Sequence, residues 1–174
     1  MKKKGLQTVV FPVAIMFLLS ALAGTAFAVQ FSTTLSGRNE APPVKTRATG
    51  EAVFKFITDH GEIGLDYTLQ VKDIKDVTAA HIHLGKPGKS GPVVVVLFSG
   101  PEKKGAFTGE LAHGRISNKD LVGPLEGKTL GDLMHEIIEG NAYVNVHTTA
   151  HPGGEIRGLL KCPAAICPSP FFRK

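Results

Sequence analysis

Apolar and polar residues alternate in short runs along most of this chain, and Gly, Pro, Asn and Asp separate the runs. A period of two marks strands with one buried face, and frequent turn residues suit an all-β sandwich or barrel. Residues 29–35 read as a first strand, followed by the turn-rich segment 36–43. Residues 51–57 and 63–71 read as a hairpin across Asp59-His60-Gly61, with His60 an exposed turn residue. Residues 78–84 form a further strand, and 93–98 is a continuous apolar run fit for a buried one. Residues 106–111 are another strand candidate.

One segment departs from this pattern. Leu130, Leu133, Met134, Ile137 and Ile138 recur at i, i+3, i+4, i+7 and i+8, which predicts an amphipathic helix over 130–139. Thr129 is its N-cap with Asp132 completing an acidic capping box, and Gly140-Asn141 ends it. His135 falls on its polar side and is expected in solvent. Beyond the helix, Ala142, Val144 and Val146 alternate with Tyr143, Asn145 and His147. The apolar trio should face the core, which puts Asn145 and His147 together on the opposite face. Pro152-Gly153-Gly154 makes a turn, and 155–160 returns as a strand with Glu155 and Arg157 on one face. A tight hairpin would set this strand beside the one that carries His147.

That patterning places candidate chemistry. His81 and His83 are two apart on one strand, so their rings project to the same side. If the strand of His147 packs nearby, a third imidazole joins them. Three neutral imidazoles suit copper, zinc, iron or nickel better than calcium or magnesium, and copper(II) is favoured by intrinsic affinity. His151, on the loop between the last two strands, is a candidate fourth ligand. The alternative is that these histidines only hydrogen-bond their neighbours and brace the sheet.

The ends of the chain bear on location. Lys2, Lys3 and Lys4 precede an apolar run over 9–22, and Ala26-Phe27-Ala28 supplies a small-x-small cleavage pattern. Residues 1–28 therefore read as a secretory signal peptide, and the mature chain as secreted or periplasmic with no membrane segment. The leader carries three lysines and no acid, so its removal lowers the formal charge from +5 to +2. No basic block interleaved with aromatics remains, which leaves nucleic-acid binding without support. Residues 29–161 make one domain, and 162–174 form a C-terminal tail. Export favours a local disulfide between Cys162 and Cys167, with free thiols as the alternative.

Taken in order, Ala80-His81-Ile82-His83-Leu84-Gly85, Gly91-Pro92-Val93-Val94-Val95, 140–148 and Pro152-Gly153-Gly154-Glu155-Ile156-Arg157-Gly158 resemble the chordin-type, or CHRD, domain family. The resemblance covers about residues 30–161. It implies an immunoglobulin-like β-sandwich, distantly similar to copper/zinc superoxide dismutases, with one short helix. In that likeness His81, His83 and His147 match copper ligands, and Arg157 could stand where an anion-attracting arginine stands. The loop 84–92 holds no His or Asp, so a dismutase-type zinc site has no counterpart. Three functions follow as expectations: a copper site with dismutase-like redox activity toward a small anion; a metal carrier, sensor or scavenger; and a non-catalytic extracellular module with a protein partner.

Overall fold

In the computed structural model the described residues are 29–59 and 62–162. The expected leader, the turn residue His60 and the tail beyond Cys162 lie outside them. The alternating segments become seven strands: β1 (Gln30–Ser36), β2 (Thr49–Asp59), β3 (Glu62–Leu84), β4 (Val93–Phe98), β5 (Lys103–Ile116), β6 (Ala142–Thr148) and β7 (Ile156–Leu159). Every pairing among them is antiparallel.

β3 organises the whole. Its first part pairs with β2 from Glu62 to Lys72 and with β5 on its other edge; its last part pairs with β6 from Val77 and with β4 from Ala80. Between these parts Asp73 and Asp76 take left-handed backbone conformations, φ 54° and 51°, and the register shifts. Asp tolerates that region better than most residues because its short polar side chain can bond locally. The pattern thus reads as two strands, 63–71 and 78–84, where the chain makes one that turns a corner through bulges and passes from one layer to the other. The circuit β2–β1–β7–β6–β3 closes back on β2, an all-β sandwich joined at its edges.

The core lies inside that circuit. Phe31, Phe54, Leu69, Ile82, Val144 and Ile156 are all buried there. α1 (Leu130–Ile138) packs against β3 and β6, with Leu130, Leu133, Met134 and Ile137 buried. Thr129 and Asp132 form the reciprocal capping box that their spacing predicts. Each buried stripe residue contributes roughly 1.5–3 kcal/mol, enough to hold a helix that would be marginal alone. Ile138, the last of the stripe, stays 39% exposed, and His135 is exposed as expected.

Alternation on β6 fails in one respect that matters for function. Tyr143, Asn145 and Thr148 are buried although they face away from the core-facing Val144 and Val146 or end the strand. The segment 37–44 and the loop 85–92 cover this outer face, with Gly37 held by Val44 and Gly85 by Asn141. The polar face is therefore a second, smaller interior.

Candidate metal centre

Strand register assembles the site. On β3 and β6, His81 lies opposite Asn145, His83 opposite Tyr143, and His147 opposite Ala79. Side chains of one parity share a face, so all three imidazoles stand on the covered side of the sheet. One ring nitrogen from each of His81, His83 and His147 lies within 4.8 Å of the others. His83 is buried, while His81 and His147 are half-buried toward solvent. His151 is not in this group: it sits in the tight turn after β6, where its backbone N–H donates to the Thr148 carbonyl.

The second ring nitrogens are fixed by backbone. A carbonyl oxygen only accepts, so His83 Nδ1–H donates to Gly91 O at 2.9 Å and His147 Nδ1–H donates to Pro152 O at 2.8 Å. Both residues therefore present Nε2 as a lone pair, the arrangement that orients and enriches a metal-binding imidazole. His81 Nδ1 lies 3.1 Å from His147 Nε2 and donates to it. Its proton can move to the other ring nitrogen without any change of charge. His83 Nε2 is buried and makes no close hydrogen bond, although the Asn145 side chain is near enough to bond the ring weakly. Such an atom is rare in a native interior and calls for a ligand or an internal partner.

Electrostatics keep the rings neutral. Burial, then His147 and His83, push the His81 pKa down to about 4. His83 is lowered by burial, with His147 and Arg157 adding to the effect, against opposing hydrogen bonds with Gly91 and the Asn145 side chain. His147 is lowered by burial, against its bond to Pro152, with Arg157 adding to the effect. Neutral imidazoles are the form that binds metal.

Arg157 does not stand free beside the trio. It is 4% exposed, and its Nη2 lies 2.9 Å from Glu40 Oε2. Its Nη1 donates to Lys89 O at 3.0 Å, and its guanidinium stacks on Tyr143, 4.0 Å from the ring centroid. The other face of Tyr143 stacks on His83 at 5.0 Å and 7°. The order is His83, Tyr143, Arg157, Glu40. Burial raises the Glu40 pKa, with Arg157 opposing. Glu155 does not pair with Arg157; it accepts from Thr46 and Thr148, both at 2.7 Å.

Three contributors escape the sequence reading. Tyr143 shares the parity of Asn145 and His147, a signal that could have placed it on the site face. Gly91 both accepts from His83 and donates its N–H to Tyr143 Oη. Glu40 lies 117 positions from Arg157, and only the need of a buried guanidinium for a counter-ion points to it. Cys162 is disulfide-bonded, and Cys167 lies outside the described residues. Among the described residues no helix is long and apolar enough to cross a membrane.

Comparison with known proteins adds a family. The model of the CHRD domain matches residues 31–160. Two chordins are similar to this chain: that of Xenopus laevis, 28% identical over 74% of the chain, and that of Danio rerio, 29% identical over 80%. The chain spans only 12% and 14% of those proteins' lengths. No solved structure matches it.

Proposed function

This chain belongs to the CHRD domain family, and we propose that it is an exported member that binds a transition metal, copper by preference, through His81, His83 and His147. The observation that carries the reading is the convergence of three neutral ring nitrogens within 4.8 Å, with the buried His83 Nε2 left without a close hydrogen bond. No thiolate or carboxylate joins the group among the described residues. That donor set suits copper(II) ahead of zinc(II). When bound, copper would supply redox chemistry or simple capture. The protein's own part is to hold three lone pairs in place and to keep them unprotonated.

Of the two metal readings, binding without turnover is the better supported. Arg157 is occupied by Glu40, Lys89 and the Tyr143 ring, so its charge is spent inside the protein rather than offered to an incoming anion. A dismutase-like activity would need another source of guidance.

A second reading has its own support. His81 and His147 satisfy one another at 3.1 Å without a metal, and the similar proteins are chordins. On that reading the domain is an extracellular protein-interaction module, and the histidines brace its sheet. Titration of metal-stripped protein with copper(II) and zinc(II), alongside His81→Ala, His83→Ala and His147→Ala variants, separates the two. Copper binding lost in the variants selects the metal reading. Equal weak binding by all four proteins selects bracing. Superoxide turnover by the copper-loaded wild type would reinstate the redox reading.

A further inference from the structure

We infer that a second site lies on the far side of Arg157 and Tyr143: a basic cleft that binds an anionic oligosaccharide. The cleft opens between β1, the segment 38–43 and the loop 86–90, and encloses about 960 Å³. That is the upper end of the range for small-molecule clefts, about 300–1,000 Å³. Neither the histidine trio nor His151 lines it.

Charge is the first argument. From Val29 onward the chain holds 17 basic and 15 acidic residues, near balance. The lining of this one cleft holds five basic residues and a single acid. That acid, Glu40, is consumed by Arg157 at the base. Arg38, Lys86, Lys89 and Lys161 remain, all exposed and with no ion pair among the described residues. Four unpaired cations around one concavity focus a positive field that a neutral ligand would not use.

The type of anion follows from what else lines the cleft. Ser32, Thr34 and Asn39 stand exposed along one wall and Ser90 on the opposite one, groups that exchange hydrogen bonds with ligand hydroxyls. An acidic peptide is less well served. β1 is paired by β2 along its length, and its other edge is partly taken by β7 at Ser36 and through Thr33 Oγ1 to Leu159 O, which leaves only a short stretch for strand addition. The exposed large apolar residues Ile63, Val96, Val122 and Ile138 all lie elsewhere, and the apolar part of the lining is made of Ala41, Pro42, Pro43, Pro87 and Leu159 beside the Tyr143 ring, surfaces on which sugar rings can also lie. A hydroxyl-rich polyanion matches both halves of this lining. The inference stands independently of the metal reading.

The test is calorimetric titration of metal-stripped protein with oligogalacturonate, short dextran sulfate, neutral dextran and poly-glutamate at fixed moderate salt. Two double variants alter the cleft, Lys86→Ser with Lys89→Ser and Arg38→Ser with Lys161→Ser. A third, Lys119→Ser with Lys128→Ser, removes the same charge elsewhere. All six positions are exposed, so folding should survive. The inference expects a sulfated or carboxylated saccharide to bind, neutral dextran not to, and each cleft variant to weaken binding about tenfold. The distal variant should stay within about twofold. Equal losses in all three variants, no binding of either anionic saccharide, or tighter binding of poly-glutamate than of both would overturn it.

Discussion

Replacing Arg157 with methionine keeps most of the side-chain stem and removes the charge, which makes it the sharpest probe of what this residue does. The variant leaves Glu40 with its side chain 3% exposed and no counter-ion. Removing one partner of a buried pair costs about 3–5 kcal/mol, mostly the penalty on the charge left behind. Loss of the contact over Tyr143 adds about 0.5–2 kcal/mol. We therefore expect about 4–6 kcal/mol of destabilisation at pH 7.5, a Tm drop of roughly 8–24 °C for a domain of this size. The pH dependence checks the mechanism. Burial already raises the Glu40 pKa, and without Arg157 it should rise further. The folded variant then binds a proton more tightly than its unfolded chain, so it regains stability as pH falls toward the ordinary carboxylate range. Arg157 also lowers the pKa values of His83 and His147, so its loss relieves those rings in acid as well, and adding Glu40→Gln to the variant is what isolates the carboxylate. Urea denaturation at pH 7.5 and 5.5 should show a smaller cost at 5.5, and Glu40→Gln added to Arg157→Met should recover about 2 kcal/mol. A cost below about 1 kcal/mol at pH 7.5 would refute the argument, as would a cost that neither acid nor the second substitution relieves.

The histidine trio sets a separate pH response. The three rings are neutral in the fold and take protons on unfolding below about 6.5, so metal-free stability should be full above that pH and decline toward pH 4. After allowance for their partial exposure we expect a loss of roughly 1–3 kcal/mol, abolished in a triple alanine variant and read by urea midpoints. At Gly91 an added methyl would run into the Leu84 carbonyl oxygen; Gly91→Ala should cost about 2 kcal/mol or more and weaken copper binding at least about tenfold through His83. His151→Ala should leave copper affinity within about twofold, whereas a loss like that of His83→Ala would bring His151 into the ligand set. Short dextran sulfate should tighten copper binding, because the loop 85–92 carries both Lys86 and Lys89 and the carbonyl that orients His83; by linkage copper must tighten dextran sulfate equally, and unequal factors would refute the coupling.

Most of the fold is legible in the sequence because period two and period 3.6 are local signals. The strand 93–98, the capped helix at Leu130 and the hairpin of β6 with β7 all follow from spacing and turn residues. The corner in β3 does not. Asp73 and Asp76 fall between the two strands expected at 63–71 and 78–84, yet the chain there bends without ending the strand, a choice made by the two layers it joins. Much the same division holds at the site. Parity put His81 and His83 together, and hairpin logic set the strand of Arg157 beside that of His147. The partners that fix their state, Gly91, Pro152 and Glu40, come from loops, whose path over the sheet has no periodicity to read. From the sequence, Glu155 and Arg157 share one strand face, and spacing does not say what covers it. The covering loops decide it by burying both residues and giving each a different partner.

That division of labour bears on which function the domain can serve. Strands alone would place three imidazoles on one face but would leave each ring free to rotate and to choose its tautomer. Here two backbone carbonyls remove that freedom at His83 and His147, and the stack of Tyr143 on His83 limits rotation further. If the rings served only to brace the sheet, the most economical network would use every buried nitrogen. His81 and His147 do satisfy one another, but His83 Nε2, on the most enclosed ring of the set, makes no close hydrogen bond and has only a weak one from the Asn145 side chain to draw on. A group that is both immobilised and poorly satisfied carries a desolvation cost of up to about 1–3 kcal/mol. A ligand that accepts its lone pair would offset that cost. Bracing accounts for the pairing of His81 with His147 and for Asn145 beside His83, whereas metal binding also accounts for the convergence of all three ring nitrogens.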